Sequence, residues 1–412
     1  MNHRWLFEGK SVLVGVSGGI AAYKTAELVR LFVKAGAQVR VVMTETATRF
    51  VGPVTFEALT GQAVLVDVAA RPSTTGGIGH IELAKKADLM VVAPATANTM
   101  AKLAGGFASD MLSAVALASR CPLLLAPGMN VDMWNHRATQ ANLALLRERG
   151  CLVVGPEAGD LACGVRGMGR MSEPAAIFDA SVRALSPQDL GGLKVLVTAG
   201  ATRETIDDVR FLTNRSTGKM GFAMARAAAA RGADVILVAG PGCLVPPYGL
   251  HLVSVRDARQ MAQEVLGRAS EMDVVVKSAA VADWRPKDSV KGKIAKEDLG
   301  DEYVLKLVRN PDILKELGER RMAGVRPLLV GFAAEAGAGA RQRAQAKLER
   351  KNCDFFVLND VTEPHAGFEV DTNRAELLAR SGEHWAFDLM TKNQLAHEIW
   401  HRLAKLELHG EA

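Results

Sequence analysis

Two glycine-rich turns mark where this chain could hold phosphate. Residues 11–16 (Ser-Val-Leu-Val-Gly-Val) form an apolar run that enters Ser17, Gly18, Gly19 and Ile20 and continues to Lys24. Residues 195–198 (Val-Leu-Val-Thr) enter a second turn, 199–203 (Ala-Gly-Ala-Thr-Arg). A buried strand that turns on small residues into a helix lets the backbone approach an anion. The helix N-terminus then presents unpaired N–H groups and a partial positive charge. Two such starts predict two sites.

Other residues in the first half could act on a substrate beside the anion. His80 stands just before a helical segment, where an imidazole is either a structural residue or a proton carrier. Asn130 follows the apolar run 122–126 in Pro127-Gly-Met-Asn130, which places it at the C-terminal edge of a sheet. Its amide either caps the next turn or holds a carboxylate. Cys163 lies among glycines in residues 162–171 (Ala-Cys-Gly-Val-Arg-Gly-Met-Gly-Arg-Met). A thiol on a closing flap can donate a proton to a carbanion-like centre.

The second half is rich in lysine near strand ends. Arg210 and Asn214 precede residues 216–221 (Ser-Thr-Gly-Lys-Met-Gly), which open an alanine-rich helix and put Lys219 at its start. Ala279 to Asp283, Lys293, the run Pro311, Asp312, Ile313 and Leu314, Phe332, Lys347 and Lys351 follow. Each lysine alone reads equally as a solvated surface residue. Several around one sheet edge suit a nucleoside triphosphate, because transfer of its α-phosphate builds negative charge that fixed cations neutralise.

Three familiar motifs fail on detail. Residues 15–19 (Gly-Val-Ser-Gly-Gly) fit the G-x-S-x-G nucleophile elbow, but on the first strand, with no acid and histidine in hydrolase order. The same turn is not G-x-G-x-x-G, since Ser17 replaces the second glycine. The second strand ends at Thr44 rather than in an acid for a ribose hydroxyl, which disfavours NAD and leaves a single-phosphate cofactor such as FMN. Residues 213–220 are not a Walker A loop, because Met220 stands where magnesium needs a hydroxyl and Thr213 replaces the first glycine.

These residues must be carried by elements, and the apolar runs show which. Runs at 38–43, 88–93, 122–126 and 151–154, spaced for crossover helices, indicate a parallel doubly wound sheet. Residues 186–192 (Ser-Pro-Gln-Asp-Leu-Gly-Gly) read as a linker, after which runs at 195–198, 234–238, 273–276, 327–331 and 354–358 restart the pattern. The expectation is an α/β protein of two doubly wound, Rossmann-like parallel-sheet domains, residues 1–189 and 190–412. Residues 88–98 and 273–283 echo each other as a strand running into small residues and a terminal polar side chain. Residues 284–299, dense in Lys, Asp and Gly, read as a mobile flap, and 392–406 as a closing amphipathic helix.

Bulk composition narrows the function classes. The 412 residues exceed one core, and 49% hydrophobic with 23% charged residues is ordinary for soluble enzymes. No signal peptide and no bilayer-length apolar run is present, so a cytoplasmic protein without membrane partners is expected. Five scattered cysteines, Cys121, Cys151, Cys163, Cys243 and Cys353, give no C-x-x-C pair. A net charge of +5 without a basic stripe, and 5% aromatics, disfavour nucleic acid.

Five segments in order, at 17–24, 79–83, 93–97, 127–133 and 162–171, resemble the flavin-dependent phosphopantothenoylcysteine decarboxylases. The resemblance implies a flavoprotein-type N-terminal domain with FMN at Ser17, Gly18, Gly19, Ile20, Thr44, Pro94, Ala95 and Thr96. It also implies oxidation of the substrate thiol by FMN to a thioaldehyde, loss of CO₂ from the resulting β-thioketo acid, and reduction of the enethiol. His80 would assist the oxidation and decarboxylation, Asn130 would hold the substrate, and Cys163 would donate the proton. Gly128 departs from the family's usual alanine, which should loosen that turn without removing the amide.

The second set resembles the bacterial phosphopantothenate–cysteine ligases, which make an acyl-cytidylate from CTP for attack by the amine of L-cysteine. Together the two halves are similar to the bifunctional decarboxylase–ligases of coenzyme A biosynthesis, over residues 10 to 400. The resemblance puts Asn214 and Arg210 near the activated carboxylate of 4′-phosphopantothenate. It puts Ala279, Asp283, Phe332 and the Pro311, Asp312, Ile313, Leu314 run at the nucleotide, and Lys293, Lys347 and Lys351 at its phosphates. Ala295 and Ala201 depart from the usual lysine and proline. Magnesium is expected with the triphosphate. A homo-oligomer is expected, built on trimers and extending to dodecamers, with the flavin between subunits and the ligase domains paired. Two other readings remain at this stage, a flavin-binding regulatory module that does not need Cys163 and a serine hydrolase using Ser17.

Overall fold

The computed structural model describes residues 3–67, 79–160, 164, 166–242, 244, 250–295, 302–321, 327–335, 337, 339–360, 365, 367 and 369–408. The chain divides into two compact units, Met1–Ser186 and Pro187–Ala412.

The first unit is built on five strands, β1 (Ser11–Val16), β2 (Gln38–Met43), β3 (Leu89–Ala95), β4 (Leu123–Pro127) and β5 (Leu152–Val153). All pair in parallel, in the order β2-β1-β3-β4-β5. β3 is buried along its whole length, and a strand covered on both faces must read as continuous apolar sequence. The order reverses between β1 and β3, so the loops after these two strands part and open a crevice at their C-terminal ends. Helix Ala22–Lys34 packs against helix Pro174–Leu185. Phe7, Phe32 and Phe178 meet there with ring centroids 5.0 to 5.5 Å apart. Full burial of each aromatic contributes about 1.5–3 kcal/mol. A ribbon of β6 (Glu157–Asp160) and β7 (Arg166–Arg170) follows the sheet.

The second unit contains β8 (Lys194–Ala199), β9 (Arg203–Thr205), β10 (Phe211–Thr213), β11 (Asp234–Ala239), β12 (His251–Ser254) and β13 (Val274–Lys277). It continues with β14 (Trp284–Pro286), β15 (Leu307–Arg309), β16 (Leu328–Glu335), β17 (Phe355–Asp360), β18 (Thr372–Ala379) and β19 (His384–Thr391). Its main sheet runs β12-β11-β8-β13-β16-β17-β18-β19, reversing between β8 and β13. The first six strands are parallel. β18 and β19 are antiparallel additions at the edge, which the expectation of a parallel sheet did not include. The short turn between them, residues 380–383, cannot make the crossover that a parallel pair needs. Helix Lys219–Ala230 lies along the closing helix Lys392–Leu403, where fully buried Trp400 donates its indole N–H to the Met224 carbonyl at 2.9 Å.

The echo between the halves has a local cause. Asp88 accepts the backbone N–H of Ser11 through Oδ2 at 2.8 Å, and Asp273 accepts that of Lys194 through Oδ2 at 2.8 Å. Each aspartate ties the start of the strand across the reversal point, β3 or β13, to the start of the first strand of its sheet, β1 or β8. The segment read as a linker is partly docked on the second unit. Leu190 is fully buried, and Asp189 pairs with Arg231, whose Nε lies 2.9 Å from Oδ1. The segment read as a flap begins in a ribbon, since β14 pairs with β15. Farther on, Val290 N donates to the Ile206 carbonyl at 3.0 Å and Ile294 N to Asp207 Oδ2 at 3.2 Å.

Candidate functional sites

At the reversal point of the first unit lies a cavity of about 840 Å³. Gly18, Gly19 and Ile20 come to it from the turn after β1, Thr44 and Thr46 from the end of β2, and Thr96 from the end of β3. Helix Ala22–Lys34 begins at this wall with no side chain capping its N-terminus; Ala22 N and Lys24 N donate to the Gly19 and Ala21 carbonyls at 3.0 Å, and the positive end of the helix suits a phosphate. Met129, Met133, Met171 and Tyr23 add apolar surface for a planar ring. Glycine turn, open helix end and apolar walls together fit a flavin mononucleotide.

Ser17 is not on this wall. It is 1% exposed, its hydroxyl donates to the Pro94 carbonyl at 2.6 Å, and its oxygen accepts from Thr96 N at 3.1 Å. Its work is to pin the turn after β1 to the end of β3, where Pro94 and Ala95 are themselves buried. A hydroxyl so buried and engaged is no exposed nucleophile, which removes the hydrolase reading.

Asn130 lines the cavity and also caps helix Val131–Asn135, its Oδ1 accepting from Asp132 N at 2.8 Å. Of the two readings left open by sequence, the cap is present, and Asn130 also stands on the cavity wall. The β6–β7 ribbon rests on this segment. Met129 N donates to the Gly169 carbonyl at 2.9 Å, and Gly169 has φ +146°, with room for no side chain because a Cβ would sit 2.3 Å from the Met129 carbonyl oxygen. Asp160 at the tip end of the ribbon and Arg170 at its base both line the cavity. Cys163 lies outside the described residues.

His80 is on helix Gly79–Lys86 and does not line the cavity. Its Nδ1 is buried without a partner among the described residues. Sequence reasoning passed over two ion pairs on the wall. Lys24, 11% exposed, meets Glu173 at 2.8 Å, and Lys102 meets Asp110 at 2.7 Å. The Lys24 hydrogen bond holds the Glu173 carboxyl below its ordinary value despite partial burial, with Arg170 assisting.

In the second unit a smaller cavity of about 130 Å³ lies at the C-terminal ends of β13, β16 and β17. Gly218, Lys219 and Gly221 at the start of helix Lys219–Ala230 form one wall, and Ser278, Ala279, Ala280 and Phe332 another. A Cβ on Gly221 would lie 2.6 Å from that of Ala199, so only glycine lets this helix end close on the β8 turn. Asn359, Asn373 and Lys392 complete the lining. The Ser278 hydroxyl and the Oδ1 of Asn373, a residue 1% exposed, are buried without partners among the described residues. Orphaned polar atoms on a cavity wall fit a polar ligand.

Of the two cations on this wall, Lys219 was expected at the helix start and Lys392 was not, while Lys293, Lys347 and Lys351 do not line it. Lys219 binds Asp371 Oδ1 at 2.6 Å and the Glu369 carbonyl at 2.9 Å, and Lys392 donates to the carbonyls of Gly367 and Val370 at 2.7 and 2.5 Å. Burial, aided by the charge of Lys219, pushes the Lys392 ammonium down to about 8 against the pull of Asp371. Lys347 is paired instead with Glu335, and Lys351 with Asp312 at 3.1 Å. Lys293 is exposed. A polar residue after an apolar run, the signal used for Asn130, would have found Asn359. Nothing in the sequence distinguishes Lys392 from a surface lysine.

Asn214 donates Nδ2 to the Ala280 carbonyl at 3.2 Å, and so touches the Ala279 to Asp283 turn. Asp283 is exposed, and its carbonyl accepts from Asn310 N at 2.9 Å. Arg210 is committed to Asp207, with Nε and Nη2 at 2.8 and 2.6 Å, and to the Ile294 carbonyl at 2.9 Å. The Arg210 hydrogen bond holds the Asp207 carboxyl far below the usual carboxylate range. Asp312 caps helix Ile313–Arg320 beside Pro311. Ile313 and Leu314 are core residues, so only their backbone is offered to a ligand.

Residues 3–186 match the family model described as Flavoprotein, and residues 190–406 that of the DNA/pantothenate metabolism flavoprotein C-terminal domain. The chain is 45% identical over 392 residues to the coenzyme A biosynthesis bifunctional protein CoaBC of Haemophilus influenzae, covering 95% of this chain and 96% of that one. It is 46% identical over 402 residues to the protein of the same name from Mycobacterium bovis, covering 95% of each. A crystal structure of the C-terminal domain of a coenzyme A biosynthesis bifunctional protein CoaBC is 38% identical, covering 54% of this chain and all of that one at a TM-score of 0.46. The chain therefore belongs to the family of coenzyme A biosynthesis bifunctional proteins, with a flavoprotein unit and a DNA/pantothenate metabolism unit in one polypeptide.

Proposed function

We propose that the chain carries out two consecutive steps of coenzyme A biosynthesis. The unit Pro187–Ala412 ligates L-cysteine to 4′-phosphopantothenate at the expense of CTP. The unit Met1–Ser186 then decarboxylates the 4′-phosphopantothenoylcysteine to 4′-phosphopantetheine with FMN. The observation that carries this reading is the pair of unlike cavities, each at the sheet-reversal point of its own unit. One has apolar walls around a single anion site, and the other has lysines and orphaned polar atoms around a helix start.

In the ligase step the substrate carboxylate attacks the α-phosphorus of CTP and pyrophosphate leaves. The cysteine amine then attacks the acyl carbon, and CMP leaves. The uncapped start of helix Lys219–Ala230, with Lys219 and Lys392, suits the negative charge of the phosphates. Asn214 fixes the Ala280 carbonyl and so shapes the edge where Ala279 and Phe332 receive the nucleotide. Lys347 and Lys351 reach the phosphates by exchanging their carboxylate partners for the ligand. Lys293 approaches from the segment that Arg210 and Asp207 anchor. Mg²⁺ enters with the triphosphate, whose oxygens and one or two carboxylates are its usual ligands, and Asp283 is an exposed carboxylate at this edge.

In the decarboxylase step FMN supplies reversible two-electron oxidation of the substrate's thiol-bearing carbon. Thr44 and Thr96, with the N–H groups of the turn after β1, hold the cofactor at the cavity wall. Asn130 would orient the departing carboxylate, and Cys163, which the sequence places between β6 and β7, would return the proton to carbon. His80 serves the oxidation and decarboxylation from a neighbouring subunit in a trimer-based homo-oligomer, with the ligase units paired. Support for that assembly comes from the absence of His80 from its own cavity wall and from exposed Ile20, Tyr23 and Met133 at the rim.

The visible spectrum of the purified protein tests the first half. Flavin absorbance is expected, and no bound FMN even after reconstitution overturns it. For the second half, pyrophosphate release must need both CTP and phosphopantothenate, and release unaffected by omitting phosphopantothenate overturns it. A flavin-binding regulatory module is distinguished by Cys163→Ser, which stops decarboxylation only if the thiol takes part.

A further inference from the structure

The turn at 278–283 is fixed from all sides. Its amides are held by the neighbouring loop, with Ala279 N on Thr198 Oγ1 at 3.1 Å, Ala280 N on the Gly200 carbonyl at 3.0 Å and Ala282 N on Thr202 Oγ1 at 3.1 Å. The carbonyls of Ala279, Ala280 and Ala282 are held by side chains, that of Ala279 accepting also from Val281 N at 3.1 Å. Asn214 takes Ala280, and Asn310 Nδ2 takes Ala282 at 2.8 Å. The Ala279 carbonyl is held by a lysine, with Lys277 Nζ donating at 2.9 Å.

Lys277 is a costly choice for that purpose. It is the last residue of β13, on the central strand at the reversal point, and is 9% exposed. Burying an ammonium costs several kcal/mol unless other charges offset it, so an apolar residue would serve the sheet better. The charged groups that act on it are Lys351, Asp312 and Asp283. Asp312 and Lys351 are paired with each other, and all three belong to the set placed at the nucleotide.

We propose that Lys277 is a positioning residue of the nucleotide site, holding the Ala279 carbonyl from inside the sheet edge and coupling that turn to the phosphate charge received beside Lys351 and Asp312. The inference rests on the reading that a nucleoside triphosphate binds at this edge. Burial, reinforced by Lys351, lowers the Lys277 ammonium to about 7, with Asp312 and Asp283 pulling it up. An arriving polyanion favours the charged form, and a charged donor holds a carbonyl more strongly than a neutral one. Below pH 7 free and bound protein are both protonated. Above pH 7 the free protein loses the proton while the complex keeps it, so binding takes up a proton and weakens as pH rises.

The test is calorimetric titration of the full-length protein with Mg·CTP at pH 8 in two buffers of different ionisation enthalpy, on the wild type and on Lys277→Met. The wild type should take up a fraction of a proton per nucleotide. The variant should take up none from this group and bind about tenfold more weakly at pH 7, the loss of one charge-assisted hydrogen bond. Its KM for CTP should rise more than its kcat falls, and its affinity should depend less on pH above 7. Lys277→Gln, which retains a donor, should recover part of the affinity without the proton uptake. Thermal melting checks that each variant folds. Wild-type binding with identical proton uptake in Lys277→Met overturns the proposal alone. Absence of CTP binding by the wild type overturns the nucleotide reading and this inference with it.

Discussion

Replacing Gly169 by alanine tests how the decarboxylase residues are brought together. Gly169 holds φ +146°, a conformation that costs an L-residue about 1–3 kcal/mol. The new Cβ would also stand 2.3 Å from the Met129 carbonyl oxygen, where ordinary contact begins at 3.4 Å. Because the obstacle is backbone, no rotamer change relieves it, and the ribbon must separate from the Asn130 segment by roughly 1 Å, enough to cost about 10²-fold in rate. The shift breaks the Met129–Gly169 hydrogen bond and moves Asn130 and the β6–β7 ribbon apart. We therefore expect kcat for decarboxylation of 4′-phosphopantothenoylcysteine, followed by mass spectrometry of the product, to fall about 10²-fold. CTP-dependent ligation by the same sample should be unchanged, since the substitution alters no residue of the second unit, and bound flavin is measured alongside. Decarboxylation within threefold of wild type at full flavin occupancy would refute the reasoning.

Asn214→Ala releases the Ala280 carbonyl and should lower ligase kcat/KM by about tenfold or more while leaving decarboxylation intact, as separate assays of the two steps will show. At Gly128 a methyl would sit 3.2 Å from Met171 Cβ and 3.3 Å from Pro94 Cβ, and the residue lacks the positive φ that would forbid alanine. Gly128→Ala should thus be nearly neutral in thermal stability, the entropic gain of about 0.4–1 kcal/mol offset by tight contacts, with a small change in flavin affinity by fluorescence titration. Glu173 titrates below its ordinary value when folded because Lys24 holds its carboxylate, so its stabilisation is present above the unfolded value near 4.5 and fades as pH falls through the folded one. Glu173→Gln should therefore melt lower than wild type at pH 7, with the gap closing below pH 4.5 in melts across pH.

The strands that position both sites were legible because they lie inside parallel sheets. β1, β3, β4, β8, β11 and β13 are close to uninterrupted apolar runs, as coverage on both faces requires. The glycine turns and Asn130 were legible for the same reason, since each follows such a run directly. β18 and β19 escaped because an edge hairpin alternates polar and apolar residues and is joined by a short turn. Side-chain engagement was legible only where it is local, as in the cap made by Asn130. Lys347 and Lys351 find their carboxylates 12 and 39 positions away, and Ser17 meets Pro94 77 positions on, distances that only the folded chain closes. Lys392 and Asn373 reach the second cavity from the last helix and the edge hairpin, elements that local sequence gave no reason to bring there.

The most direct measurement gives the purified chain 4′-phosphopantothenate, L-cysteine, CTP and Mg²⁺ in one vessel and follows products by mass spectrometry. The account predicts 4′-phosphopantetheine, with one CMP, one pyrophosphate and one CO₂ for each molecule formed, after a transient of 4′-phosphopantothenoylcysteine. Accumulation of that intermediate without CO₂ by a flavin-loaded protein, or no CMP at all, would contradict it.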